Sequence, residues 1–236
     1  MTRVRTTFVT RNAVRAMTLV ILGSAGFLMA RYASLPWLLP VHFKANGVPN
    51  GWQFRTPVRV LLPVFVQLAL ALALGSIGAL LLSRPRADHE PDAPDVRAAA
   101  VAAEAVILIA LIWVAFQAYA AWALVSMWTV ERGGLGVSYQ YLEITGAVLT
   151  GVVAVRAHVR LGHPMPRPFV PEHWRFGQLY KNAADPALFV PTRDGRRWTL
   201  NFGRPVAAAL LGLILVLGIV GPTVILAILL RGGNSY

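Results

Sequence analysis

The chain has 236 residues, of which 56% are hydrophobic and only 14% charged, with a mean hydropathy of +0.58. A soluble domain carries about 25% charged residues, so the long apolar runs make the bilayer the natural solvent. The net charge is +12 and the pI about 11.3, and the lack of any Cys excludes disulfides, thiol chemistry and Cys-based metal sites.

A helix needs about 20 apolar residues to cross about 30 Å of hydrocarbon. Five runs fit, at 13–33, 58–82, 102–127, 141–159 and 206–230. Backbone groups in lipid must pair within their own segment, so each run is predicted to be a helix. The expected fold class is an all-α integral membrane protein with five transmembrane helices, a cytoplasmic N-terminus and a small cytoplasmic β-hairpin module. Residues 1–82 form an N-terminal membrane domain of two helices with an outer loop over 34–57. A cytoplasmic linker covers 83–101, a helical pair 102–159, the hairpin module 160–204 and the last transmembrane helix 205–236.

The first run follows Arg3, Arg5, Arg11 and Arg15 as the core of a signal peptide would. It continues without a small-residue cleavage site and reads as a retained anchor. The next stretch, 35–52, is too rich in Pro and Gly to continue a helix. Pro36 and Pro40 favour extended backbone before them. Val41 and Phe43 alternate with His42 and Lys44 as in a strand with one wet face. Asn46-Gly47 and Pro49-Asn50-Gly51 are turn signals. An ordered loop at a membrane surface is expected.

The second run carries Ala71, Gly75 and Ala79, a row of small residues suited to close helix approach. Gly146, Gly151, Gly212 and Gly218 offer similar contacts, and Gly221-Pro222 should kink the fifth helix. The stretch 84–97, with Arg84, Arg86, Arg97 and four acids, reads as a solvated linker. Arg156 and His158 interrupt the end of the fourth run. Gln67, Gln117 and Glu143 are the polar groups singled out within the runs. An interior-facing intramembrane site is one reading of them; interhelical hydrogen bonding and surface hydration are the plainer one.

Sixteen of the 22 Lys and Arg fall in segments that share one side when the N-terminus is placed inside. The positive-inside bias therefore favours a cytoplasmic N-terminus and an extracytoplasmic C-terminus, with the opening loop on the extracytoplasmic face. Trp37, Trp52, Trp128, Tyr139 and Tyr141 cluster at the expected outer interface. The same bias accounts for the basic charge without nucleic acid.

Residues 163–168 form a Pro-rich connector. Asp194-Gly195 between two β-prone runs is a strong hairpin signal, and Pro191 confines its strand to an edge. An aromatic-faced hairpin is expected there, docked on the membrane or the helices, since an isolated hairpin is marginal in water. Its basic residues suit an anionic lipid surface.

No HExxH, GxSxG or phosphate-loop pattern occurs, and Gly133-Gly134-x-Gly136 reads as a turn. His42 could be a metal ligand or a pH-sensitive contact, but its loop has no second His or acid to complete a zinc site. A hydrogen bond that pins the loop is the plainer role. His158, His163 and His173 are irregularly spaced. No catalytic residue, metal or cofactor is assigned.

Residues 35–52 resemble the N-terminal domain of SdpI-type bacterial membrane proteins. The match runs through Leu35, Pro36, Pro40, His42, Phe43, Gly47, Pro49 and Trp52. The chain departs from that pattern at Lys44, often Asn in the family, and at Asn50, usually Asp. Residues 174–203 resemble a second small family of unknown function. Its marks are Trp174-x-x-Gly177, Tyr180-x-Asn182, Asp185-Pro186, Phe189-Val190-Pro191-x-Arg193, Gly195 and Trp198-Thr199-x-Asn201-Phe202-Gly203. Together the matches cover somewhat under half of the chain. The first implies a bacterial inner (plasma) membrane setting, immunity against a secreted peptide toxin and pairing with a regulator.

The function expected is therefore non-enzymatic, with a peptide or membrane-protein partner bound at the outer loop and the signal coupled inward. The residues assigned outside are His42, Phe43, Gly47, Asn50 and Trp52. Those assigned to the cytoplasmic module are Trp174, Tyr180, Asn182, Arg193, Trp198 and Asn201. The alternative is an enzyme or transporter with its site near Gln67, Gln117 and Glu143. A scaffolding subunit is the third possibility.

Overall fold

The computed structural model describes residues 6–44, 48–82, 96–130, 135, 137–161, 170–185, 187–192 and 198–215. Four helices in it are long and apolar enough to cross a membrane: α1 (Phe8–Tyr32), α3 (Leu62–Leu82), α4 (Val96–Val130) and α5 (Val137–Leu161). A single turn, α2 (Pro57–Val60), precedes α3.

Helix α4 is the axis of the bundle. It packs against α1, α3 and α5, while α1 and α3 touch each other far less. At about 1.5 Å per residue its 35 residues run for roughly 50 Å, longer than the hydrocarbon core. It starts at Val96, earlier than the expected 102, because Ala98, Ala99, Ala100, Ala102 and Ala103 supply the strongest helix propensity available. Ala110 and Val114 are buried with Met17 of α1 and packed by Leu70 and Leu74 of α3. Of the row expected on α3, Ala79 is exposed and Gly75 faces open space. The close approach is made one residue earlier. A Cβ on Gly78 would stand 2.9 Å from Ile107 Cδ1 of α4.

Local chemistry sets the helix ends. Thr7 caps α1, its Oγ1 accepting from the Thr10 amide at 3.0 Å. Thr56 does the same for α2 at 3.3 Å, with Pro57 in the first turn, where a missing N–H leaves no intrahelical bond unmade.

Helix α5 packs chiefly on α4. Gly146 lets Trp113 lie against it, and Trp113 Nε1 donates to Thr150 Oγ1 at 3.2 Å. Its remaining surface, including Ile144, Val148, Val152, Val155 and Val159, is exposed and apolar. Arg156 and His158 do not interrupt it, since straight-chain Arg is a good helix former and both side chains point outward.

Strands β1 (Leu38–Phe43) and β2 (Pro49–Phe54) form an antiparallel hairpin at the α1/α3 end of the bundle. Pro49-Asn50-Gly51 is strand here, not turn. The register slips around His42, where Gly51 backs onto it: a Cβ on Gly51 would lie 2.9 Å from His42 Cβ. The hairpin shares a core with the helices through Leu28, Leu35, Leu39, Val60, Val64, Val125 and Trp128.

Beyond α5 the chain builds a small module of two hairpins rather than one. A 3-10 turn (Pro171–His173) leads into β3 (Trp174–Arg175), which pairs with β4 (Leu179–Tyr180). Strand β5 (Phe189–Pro191) pairs with β6 (Trp198–Leu200) as expected. A parallel bridge between Tyr180 and Asn201 joins the two. Helix α6 (Pro205–Leu215) begins the fifth run. The rest of that run, the linker, the Pro-rich connector, the glycines at 133, 134 and 136, the Asp194-Gly195 turn, Gly47 and Arg193 lie outside the described residues.

Candidate functional site

The β1–β2 hairpin has one face bound to the bundle and one face open. Leu39 is fully buried and Gln53, its cross-strand partner, is buried too. Trp128 Nε1, from the end of α4, donates to the Pro40 carbonyl at 3.2 Å. Arg55, just after β2, ties the hairpin to α1. Its Nη1 donates to the carbonyls of Tyr32, Ala33 and Leu35. These carbonyls lie at and just beyond the C-terminus of α1, where a cation is favoured by the helix dipole. Arg59 of α2 donates to the Phe54 carbonyl, and burial lowers its pKa from the ordinary value without removing its charge.

The open face is aromatic. Trp37, Leu38, Trp52 and Phe54 are each about half exposed or more, with the Trp37 and Phe54 rings 5.9 Å apart. His42 and Asn50 sit at its edge, both exposed. His42 Nδ1 lies 2.5 Å from Asn50 Oδ1. The pair pins the two strands together. Phe43 is placed in β1.

Of the residues assigned to the C-terminal module, Trp174, Tyr180, Asn182 and Asn201 come together, as a polar knot rather than an open surface. Asn201 is fully buried. Its Nδ2 donates to the carbonyls of Asn182, Asp185 and Ala187, and its Oδ1 accepts from the amides of Asn182 and Gly203. Tyr180 Oη donates to Asp185 Oδ2 at 3.0 Å, and Asn182 Oδ1 accepts from the amides of Ala184 and Asp185. Trp174 stacks edge-on with Tyr180 at 5.2 Å. Trp198 lies in β6. Phe176 is 95% exposed at the β3–β4 turn and, like Gly177, has positive φ (51° and 73°). Left-handed backbone costs an L-residue about 1–2 kcal/mol, so this turn is held by its neighbours.

Gln67, Gln117 and Glu143 are spread over different surroundings. Gln67 is fully buried among α1, α3 and α4, donating to Ser24 Oγ and the Val114 carbonyl, each at 3.0 Å. Gln117 is half-buried on α4, and Glu143 is exposed on α5. Among the described residues no three His, Asp or Glu side chains gather as a metal site would need.

Sequence reasoning missed the charged node at the opposite end of the bundle. Glu104 of α4 is buried, accepts from Thr7 Oγ1 at 2.7 Å and pairs with Arg160 of α5. Its signal was present: Glu104 is the one charged residue in the run 102–127, and an ion at that depth needs a partner.

Comparison with known proteins returns no match. No family model, curated protein or solved structure aligns with the chain.

Proposed function

We propose that the chain is a non-enzymatic membrane protein of the immunity or signalling type. It holds an extended segment of a peptide or protein partner on the open face of the β1–β2 hairpin. The observation that supports this most is the hairpin's asymmetry: a face fixed by Arg55 and Trp128 beneath an exposed surface of Trp37, Leu38, Trp52 and Phe54. A rigid aromatic surface gives contact area at little entropic cost. A two-stranded sheet also leaves strand edges to which an extended segment can add. Trp128 already occupies the Pro40 carbonyl of β1, whereas the one proline of β2, Pro49, stands at its first residue, so β2 is the better template. The resemblance of residues 35–52 to SdpI-type proteins points the same way.

The test is survival of a sensitive bacterium challenged with a secreted membrane-active peptide toxin. The wild-type chain should raise survival, and Trp52→Ala with Phe54→Ala should abolish the gain at equal expression. Survival indifferent to both substitutions overturns the reading.

The orientation proposed places this hairpin outside a bacterial inner membrane, with five spans and the C-terminal module inside. Because the chain has no Cys, single Cys residues at Asn50 and Trp198 can be labelled without background. An impermeant maleimide applied to whole cells should label the first and spare the second. Labelling of both from one side contradicts the topology.

The described residues do not favour the enzyme or transporter reading, since Glu143 faces outward while Gln67 is sealed between three helices.

A further inference from the structure

We infer that Arg156 and Arg160, one turn apart near the end of α5, bind a phosphate group, and that its source is the headgroup of an anionic lipid. At the bundle end opposite the hairpin, basic charge among the described residues exceeds the acid that could pair with it. The Glu104 carboxylate is buried and already engaged by Thr7 and Arg160. Arg156 lines the same narrow cleft between α4 and α5, yet among the described residues it has neither an ion-pair nor a hydrogen-bond partner. It is exposed on a helix whose neighbouring surface is apolar, through Val152, Val155 and Val159. An arginine on a lipid-facing helix needs an anion or a route to water. Two guanidinium groups on one helix face suit the oxygens of a phosphate, which Arg binds bidentately.

The shape of the cleft selects the source. It holds only about 10 Å³ of space, too little to enclose a solute, so the anion sits at its mouth. The walls beside the two arginines are apolar, from Leu108 of α4 and Val153 of α5. A free phosphate gains nothing from such walls, whereas a lipid lays an acyl chain along them. Basic pockets between membrane helices recognise phospholipid headgroups in this way.

The experiment is lipid retention on the purified full chain by native mass spectrometry, with phosphatidylglycerol or phosphatidylcholine added to the micelle. Wild type should retain phosphatidylglycerol over phosphatidylcholine. Arg156→Gln should cut that preference about fivefold, the effect of one cation near an anionic surface. Arg156→Lys should keep part of it. Arg15→Gln removes a charge at the same end outside the cleft and should leave it intact. Equal loss in Arg15→Gln, or none in Arg156→Gln, overturns the proposal. Excess inorganic phosphate should not displace the lipid; displacement would assign the site to free phosphate and overturn the lipid source.

Discussion

The guanidinium of Arg55 lies 4.8 Å over the ring of Tyr32 while its Nη1 donates to the Tyr32 carbonyl at 2.9 Å. One side chain thereby closes the end of α1 and fixes the start of the hairpin loop. The geometry needs a planar, multiply donating cation that also stacks on an aromatic face, which Lys does not supply.

Arg55→Ala should therefore lower stability by about 2 kcal/mol, through lost charge-assisted hydrogen bonds and uncapped carbonyls. Arg55→Lys should recover less than half. Thermal unfolding in detergent gives the size of the loss. Hydrogen exchange places it, with faster exchange expected in β1 and β2. Unchanged melting in Arg55→Ala would remove this residue from the account of the hairpin.

Gln67 predicts a contrast between two substitutions. Its Nε2 makes two hydrogen bonds, but its Oε1 is buried with no partner among the described residues. Gln67→Leu loses the bonds and also relieves the stranded oxygen. Interhelical hydrogen bonds in membranes average about 0.6 kcal/mol, so the change should stay within about 1 kcal/mol. Gln67→Ala opens a cavity among three helices and should cost about 2–3 kcal/mol. Unfolding titrations that rank the two the other way would contradict the packing described here.

For the node at the opposite end, Glu104→Ala leaves Arg160 unpaired and Thr7 without its acceptor. Arg160 is partly exposed and can turn towards water, so the loss should be about 2 kcal/mol, below that of a fully buried pair. The double variant with Arg160→Ala should cost less than the sum of the single ones, with a coupling of about 1 kcal/mol. Simple additivity in a double-mutant cycle would mean the pair contributes nothing.

In the C-terminal module, Asn201→Asp swaps a donor for an acceptor facing three carbonyls, and should destabilise more than Asn201→Ala. Both should cost at least about 2–3 kcal/mol, since buried backbone groups lose their partners. Gly203→Ala should be comparably damaging: its Cβ would stand 2.5 Å from the Asn182 carbonyl carbon, where no side chain can move aside. Limited proteolysis reads both, as accelerated cleavage within residues 170–204. Cleavage at the wild-type rate would show that the knot does not hold the module.

Much of this architecture can be read from neighbouring residues. Long apolar runs announce helices because lipid forces each segment to satisfy its own backbone, and α1, α3, α4 and α5 follow. The hairpin signal around residue 194 anticipates β5 and β6. It says nothing of Tyr180 meeting Asn201, the bridge that makes two hairpins one module. His42 and Asn50 are each singled out by the sequence, but their meeting is not, because the strand register that joins them depends on Gly51 lying against His42. Arg55 and Ser24 pass unremarked because nothing beside them in the chain marks their roles, and Glu104, though the one charge in its run, does not announce which distant groups it meets.

What the order of residues settles alone is where the chain enters lipid and where it turns, since those are one-dimensional properties of hydrophobicity and backbone preference. The tertiary structure decides which polar groups find each other. Gln67 reaches Ser24, and Thr7 reaches Glu104, only because α4 brings distant segments within hydrogen-bonding range. Short hydroxyls such as those of Thr18 and Thr145 are satisfied on their own helix, but the Gln67 amide and the Glu104 carboxylate take their partners from other segments. That choice is made by packing, which no single segment encodes.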